Sequence, residues 1–484
     1  MSDQPLSTSP LRIVQWTTGK VASESIKAIL DRPQLELVGV FAFSKEKSGK
    51  DVGDLIGLGR KLGIEATDDL DAIIALKPDC VVHMPLHPDV DQMCQVLRAG
   101  INMVTSASFV TGRGYGEEAR QKLEQAAQAG GVSLFGSGIN PGWINNLTAT
   151  AGGLCKEVNQ IRITESFNIG LWAADANQDA LGWGRPEGDP GHADAVREAT
   201  LPFSDAVEVI ARMYDFELDE VRCDVSFAHA AEDLDVPGRD VKKGQVAGIL
   251  ASWLGIAHGH TVIDLTLQWT VAEEIDPPWE IAMAYQVEVL GVPQVKMKID
   301  VMPDDMTLPM EELMKIGFMF PAMPVLNAIP HVVSAKAGIV TYADLKPVTS
   351  VMRPKAMPKH EFPLVEETSH GLSPSNGTHG ESPSSVEGKW AIVVKGPTGP
   401  QETELVLEHE GGNWGGVQSG DGVTTPLEEV SISGNDIRWV NRVTKPIKLK
   451  VVFTGTIDGD TITGKCKAGF MGSYKFSATK LISE

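Results

Sequence analysis

Three groups of residues in this 484-residue chain have the types and spacing for chemistry. The first is a turn, Thr17-Thr18-Gly19-Lys20-Val21-Ala22, between an apolar run, Ile13-Val14-Gln15-Trp16, and a segment where Ile26, Ile29 and Leu30 recur at helical spacing. Strand, tight turn and helix present free backbone N–H groups and the positive end of a helix dipole, which is what a pyrophosphate binds. One glycine of the G-x-G-x-x-G fingerprint survives, as Thr17-x-Gly19-x-x-Ala22, so an ordinary βα unit is the alternative. The second group can move protons. Glu165 lies between Thr164 and Ser166 on a segment that alternates at period two, and it can act as an acid/base if that sheet faces a cleft. A solvent-facing edge glutamate is the plainer reading. His83 and His87 flank the turn Pro85-Leu86-His87-Pro88, where an imidazole titrating near neutrality can donate to a carbonyl oxygen; a histidine capping a strand fits equally. The third group is Gly138-Ile139-Asn140-Pro141-Gly142, where Asn140 and Pro141 can line a bound carboxamide. It is followed by aromatics, Trp143, Phe167, Trp172 and Trp183, that can wall an apolar pocket or pack a core.

The elements that must position these groups follow from periodicity. Residues 35–44, 79–84, 101–105 and 132–135 read as buried strands, and 68–76, 90–99 and 116–129 as helices between them. Short loops joining alternating strands and helices give a doubly wound parallel sheet over residues 1–150, a Rossmann domain with a C-terminal return near 322–352. Pro85 stands at the turn where the nicotinamide side of a dinucleotide passes. The second strand ends Ala42-Phe43-Ser44-Lys45 without the carboxylate that grips a free adenine ribose; a hydroxyl followed by a cation suits a 2′-phosphate, so NADP(H) is favoured over NAD(H). An ordinary surface lysine at Lys45 is the alternative.

From 151 to 353 the rhythm changes to period-two stretches at 160–165, 221–228, 261–271, 281–290 and 295–301, with helices at 206–214 and 310–317, the pattern of an α+β substrate and dimerisation domain. Residues 322–340 read as a helix returning to the first domain. Residues 354–387, rich in Pro, Ser, Gly and His, read as a linker, and 388–484, short strands punctuated by glycine turns, as a small all-β barrel or sandwich. No chemistry-bearing cluster stands out there, and a stabilising or assembly module is expected.

A net charge of −22 disfavours nucleic acid and anionic membranes as partners. No apolar run approaches the roughly 18–20 residues of a membrane helix, and the start, MSDQPLSTSP, lacks a secretory pattern. Five scattered cysteines without C-x-x-C spacing fit reduced thiols in a cytoplasmic protein, and the histidines show no metal-ligand spacing.

Four stretches in this order, Ile13-Val14-Gln15-Trp16-Thr17-Thr18-Gly19, Gly49-Lys50-Asp51-Val52-Gly53, Gly138-Ile139-Asn140-Pro141-Gly142 and Pro324-Val325-Leu326-Asn327-Ala328-Ile329-Pro330, resemble the dihydrodipicolinate-reductase-like oxidoreductases. The resemblance is to the branch of 2,4-diaminopentanoate dehydrogenase and the native amine dehydrogenases, over residues 11–352. It implies a Rossmann domain, an α+β domain that forms a homodimer, and hydride exchange between NAD(P)H and an imine or carbonyl carbon of a small substrate. It also implies a glutamate just after the strand at 101–105, to assist attack of ammonia on a ketone. Here that segment is Ser106-Ala107-Ser108-Phe109-Val110-Thr111, and Ser106, the candidate at that place, neither takes nor returns a proton well at neutral pH. An ammonia-independent ketone or aldehyde reductase, and a protein that binds NADP(H) without turnover, are therefore the alternatives.

Overall fold

The computed structural model describes residues 9–174, 176–301, 310–351, 386–396, 399–411, 413–420, 423–443, 449–468 and 473–481. All but the last two residues of the expected linker, 354–387, lie outside the described residues. The chain divides into two compact units, the first running to residue 349 and the second beginning at 350.

In the first unit, β1 (Leu11–Trp16), β2 (Leu35–Phe41), β3 (Ala66–Thr67), β4 (Cys80–His83), β5 (Asn102–Thr105) and β6 (Ser133–Gly136) form a parallel sheet with a seventh strand from far downstream, Gly338–Val340, beside β6. Helix α1 (Lys20–Leu30) covers one face through Ala22, Ile26 and Ile29. Its docking has a polar clip, because the Ser25 hydroxyl donates to Gln15 Oε1 at 2.6 Å while the Gln15 amide is held by the carbonyls of Trp16 and Val82. The short helices α2 (Val52–Leu55) and α3 (Leu70–Ala75) follow β2, and α4 (Val90–Arg98) and α5 (Glu117–Gly130) cover the opposite face. Helix α6 (Trp143–Ala151) leads out of β6.

The second sheet of this unit contains β7 (Glu157–Asn168), β8 (Glu220–Ala230), β11 (Val246–Ala257), β12 (His260–Thr270), β13 (Ile275–Asp276), β14 (Ala284–Val292) and β15 (Val295–Ile299), ordered β13-β8-β11-β12-β7-β14-β15. A separate pair, β9 (Leu234–Val236) and β10 (Arg239–Val241), forms a hairpin. Only β12 and β7 pair in parallel. Helices α6, α7 (His192–Ala199) and α8 (Pro202–Met213) bury one face of the sheet. Strand β11 was not legible from periodicity, because Leu250, Leu254 and Ile256 on its other face are apolar too and erase the alternation.

The two helices expected at 310–317 and 322–340 are one, α9 (Met310–Val333), and 338–340 is strand. Pro321, Pro324 and Pro330 lie inside it, and each forgoes a backbone hydrogen bond. The loss is offset by burial: Ala322, Val325, Leu326, Ala328, Ile329 and Val332 are at most 1% exposed against the first sheet. Contrary to the composition reading, Lys315–Val333 is long and apolar enough to cross a membrane; in the fold this helix supplies core to the Rossmann domain. All five cysteines are free thiols.

With the seventh strand of the first sheet as β16, the second unit is built from β17 (Gly388–Gly396), β18 (Gly399–Glu410), β19 (Asn413–Gly420), β20 (Val423–Ser433), β21 (Asp436–Val443), β22 (Leu449–Asp458), β23 (Thr461–Ala468) and β24 (Ser473–Lys480). Each strand pairs antiparallel with the next, and β17 pairs with β24, so the domain is a closed barrel and not a sandwich. Its interior is packed by Trp390, Leu405, Ile437, Trp439, Phe453 and Phe476, with Trp439 and Phe453 stacked at 4.7 Å.

Candidate active site

The turn after β1 is shaped for an anion. Thr17 takes the first glycine position with φ +79°, a strained left-handed conformation, fixed by its N–H to Phe41 O at 2.8 Å and its hydroxyl to Met84 O at 3.2 Å. Gly19 is the N-cap of α1, where no side chain caps the helix and its first turn carries no acid, so the helix end keeps its donors and positive field. A Cβ on Gly19 would meet nothing within 4 Å, which leaves room for a pyrophosphate to approach. Ala22, at the third glycine position, is 1% exposed and packs α1 onto the sheet. Val21 is half-buried, and Lys20 lies over the Phe318 ring at 5.0 Å. Strand β2 ends at Phe41, so Ser44 and Lys45 stand exposed in the turn beyond, and it is Lys47 that donates to the Thr18 hydroxyl at 2.9 Å. The Lys47–Thr18 contact joins residues 29 apart, beyond any local window of sequence.

A second cluster forms where the loop after β6 meets β7. Asn140 Nδ2 donates to Glu165 Oε2 at 2.7 Å, and Trp269 Nε1, from β12, donates to Glu165 Oε1 at 3.1 Å. Burial pushes the Glu165 carboxyl up to about 7, against two hydrogen bonds that favour its charged form. Tyr285, paired opposite on β14, is a phenol that burial and the Glu165 charge hold well above its ordinary 10, so it stays neutral. The loop geometry demands glycine at 142, where φ is +135° and a Cβ would lie 2.3 Å from Ser137 Oγ.

The remaining candidates divide. Pro85 is buried at the end of β4. His83 is 1% exposed, its Nδ1 3.2 Å from the Thr105 hydroxyl and its ring 5.6 Å from Trp16; burial drives its pKa down to about 3. An imidazole held neutral in the core has no imidazolium proton to give at pH 7, which is the physical reason the proton-donor reading of His83 gives way to a structural one. Ser106 is half-buried, its N–H on His83 O at 3.3 Å. Trp143 and Phe167 pack on the core of the second sheet, Phe167 5.1 Å from Tyr285. Trp172 lies instead against α9, its indole 3.2 Å from where a Cβ on Gly317 would be.

Comparison with known proteins agrees with this fold. Residues 13–137 match the family of dihydrodipicolinate reductase N-termini, and residues 144–360 match the 2,4-diaminopentanoate dehydrogenase C-terminal domain family. The amine dehydrogenase of Streptomyces virginiae is 29% identical over 304 residues, 59% of this chain and 84% of that protein. The 2,4-diaminopentanoate dehydrogenase of Acetoanaerobium sticklandii is 23% identical over 334 residues, 63% of this chain and 89% of its own length. The solved amine dehydrogenase of Mycobacterium smegmatis shares the fold, with a TM-score of 0.56 over 72% of this chain and 99% of that one at 20% identity. The chain is therefore an NAD(P)-dependent oxidoreductase built on a Rossmann domain and a mixed-sheet domain. Within that class its first two domains resemble the dihydrodipicolinate-reductase-like enzymes of the amine dehydrogenase and 2,4-diaminopentanoate dehydrogenase branch, and its barrel lies outside both family matches.

Proposed function

We propose that this enzyme is NADP(H)-dependent and passes a hydride between the nicotinamide and the carbon of a small carbonyl, imine or amine, with Glu165 as its proton-transferring group. The observation that carries this reading is the Glu165 carboxyl at about 7, bonded to Asn140 of the loop that follows β6. At that value both protonation states are populated at neutral pH, the condition under which a general acid–base works best. The nicotinamide, when bound, supplies or takes up the hydride. The uncapped α1 N-terminus and Gly19 hold the pyrophosphate, and Lys47 with the Thr18 hydroxyl takes the 2′-phosphate. Trp143 and Phe167 contribute an apolar wall that positions the substrate. The open face of the second sheet, with half-buried Leu250, Leu254, Ile256 and Val262, supports pairing with a second copy, and free thiols fit a cytoplasmic setting.

A second reading has its own support. No carboxylate follows β5 between Ser106 and Thr111, which favours carbonyl reduction without ammonia. NADPH absorbance with a panel of small ketones and aldehydes, with and without ammonium, separates the two. Ammonium-dependent oxidation supports amination, ammonium-independent oxidation supports the reductase, and binding without turnover across the panel refutes both. For the cofactor, Lys47→Ala is expected to weaken NADPH roughly tenfold and NADH little; equal weakening would remove the 2′-phosphate argument.

A further inference from the structure

Asn145, on the first turn of α6, belongs to none of the motifs read from the sequence, yet it is 2% exposed and spends both ends of its amide on the loop beside Glu165. Its Oδ1 accepts the Gly142 N–H at 2.5 Å, and its Nδ2 donates to Asn140 Oδ1 at 3.3 Å. An amide can be turned end for end with little change of shape, so the direction of an amide chain must be set by a group that has no choice. A backbone N–H can only donate. Gly142 therefore fixes Asn145 Oδ1 as acceptor and Asn145 Nδ2 as donor; Asn140 Oδ1 must accept, and Asn140 Nδ2 is left to face Glu165.

We propose that Asn145 is a positioning residue that sets the polarity of the Asn140–Glu165 hydrogen bond and so makes Glu165 an acceptor on that side; this rests on the acid/base reading of Glu165. The second oxygen is treated alike, because the Trp269 indole N–H also can only donate. With a donor on each oxygen, the carboxyl has no acceptor among these partners for a proton of its own. A proton that Glu165 takes up points away from Asn140 and Trp269, toward the side from which it can be exchanged with a reactant. Without Asn145, Asn140 is free to turn its Oδ1 toward Glu165, where it would accept that proton and hold the acid form. Tyr285 is the titratable group facing Glu165 across the sheet, and it is neutral; α6 carries no ionisable side chain.

The test reads the carboxyl directly in the full-length protein, by infrared or carbon-13 NMR titration of the glutamate side chains, with Glu165→Gln identifying the band that belongs to this residue. Asn145→Ala should move the Glu165 midpoint up by about one pH unit, the size expected when a donated hydrogen bond to a carboxylate is lost. Asn140→Leu should also move it up, and the double variant no further than Asn140→Leu alone, because the two amides act in series. Asn145→Ser, which can still accept from Gly142 yet does not reach Asn140, serves if Asn145→Ala does not fold and should show the same shift. An unmoved midpoint in the Asn145 variants, or additive shifts in the double variant, overturns the positioning role. A wild-type Glu165 that titrates in the ordinary carboxylate range instead sinks the acid/base reading beneath it, so the two failures are distinguishable.

Discussion

Two polar networks in this protein, one half-buried and one buried, use nearly the same parts. In the first unit a tryptophan indole and an asparagine amide converge on Glu165; inside the barrel the Trp439 indole and the Asn441 amide both donate to Gln418 Oε1 at 3.2 Å, and Gln418 passes on a bond to Thr403 at 2.9 Å. The difference is the acceptor at the centre. Glu165 changes charge, and burial places that change near neutral pH. Gln418 is 6% exposed and keeps one state at every pH, so the barrel network can orient side chains and specify packing but cannot move a proton. Burial with indole and amide donors is therefore not itself a signature of catalysis; the same surroundings become chemistry only around a group whose charge they can tune.

The comparison is sharpened first at its active end. Glu165→Gln makes the two centres alike, and turnover in the NADPH assay should fall by about 10²–10⁴-fold while cofactor binding persists. A variant with near wild-type turnover would return Glu165 to a structural role. Stability against pH is the next largest effect. The native Glu165 pKa, about 7, lies above the ordinary 4.5, so the folded state holds a proton that the unfolded chain releases between these values. The stabilisation is full below about 4.5 and lost as pH rises through about 7. Glu165→Gln should thus gain on wild type by about 1–3 kcal/mol at pH 8 and match it near pH 4.5, measured by urea unfolding. The converse exchange, Gln418→Glu, should import this behaviour into the barrel, destabilising it by about 1–3 kcal/mol more at pH 8 than at pH 4; a pH-independent loss would break the parallel. The smallest effect is expected at Asn441, whose Oδ1 is buried without a partner. Asn441→Leu removes one donated bond and one unsatisfied acceptor together, and should change stability by no more than about 1 kcal/mol.

Much of the scaffold was legible locally. The βα turn at Thr17–Ala22, the alternation of strands and helices to Phe135, and the period-two segments around Glu165 are written within windows of a dozen residues, because apolar spacing reports which face an element buries. Where both faces are apolar, as in β11, or where prolines interrupt a buried helix, as in α9, the same rule misled.

What the chain by itself determined is the set of parts: a degenerate phosphate turn, a second strand without a terminal carboxylate, an Asn-Pro-Gly loop and a glutamate on a strand. What the tertiary structure alone decided is which of them meet. Trp269 reaches Glu165 across 104 residues, Asn140 across 25, and Lys47 reaches Thr18 across 29. The pKa of Glu165 follows from how much water those contacts exclude, and desolvation is a sum over everything that packs nearby, which no local stretch of sequence contains.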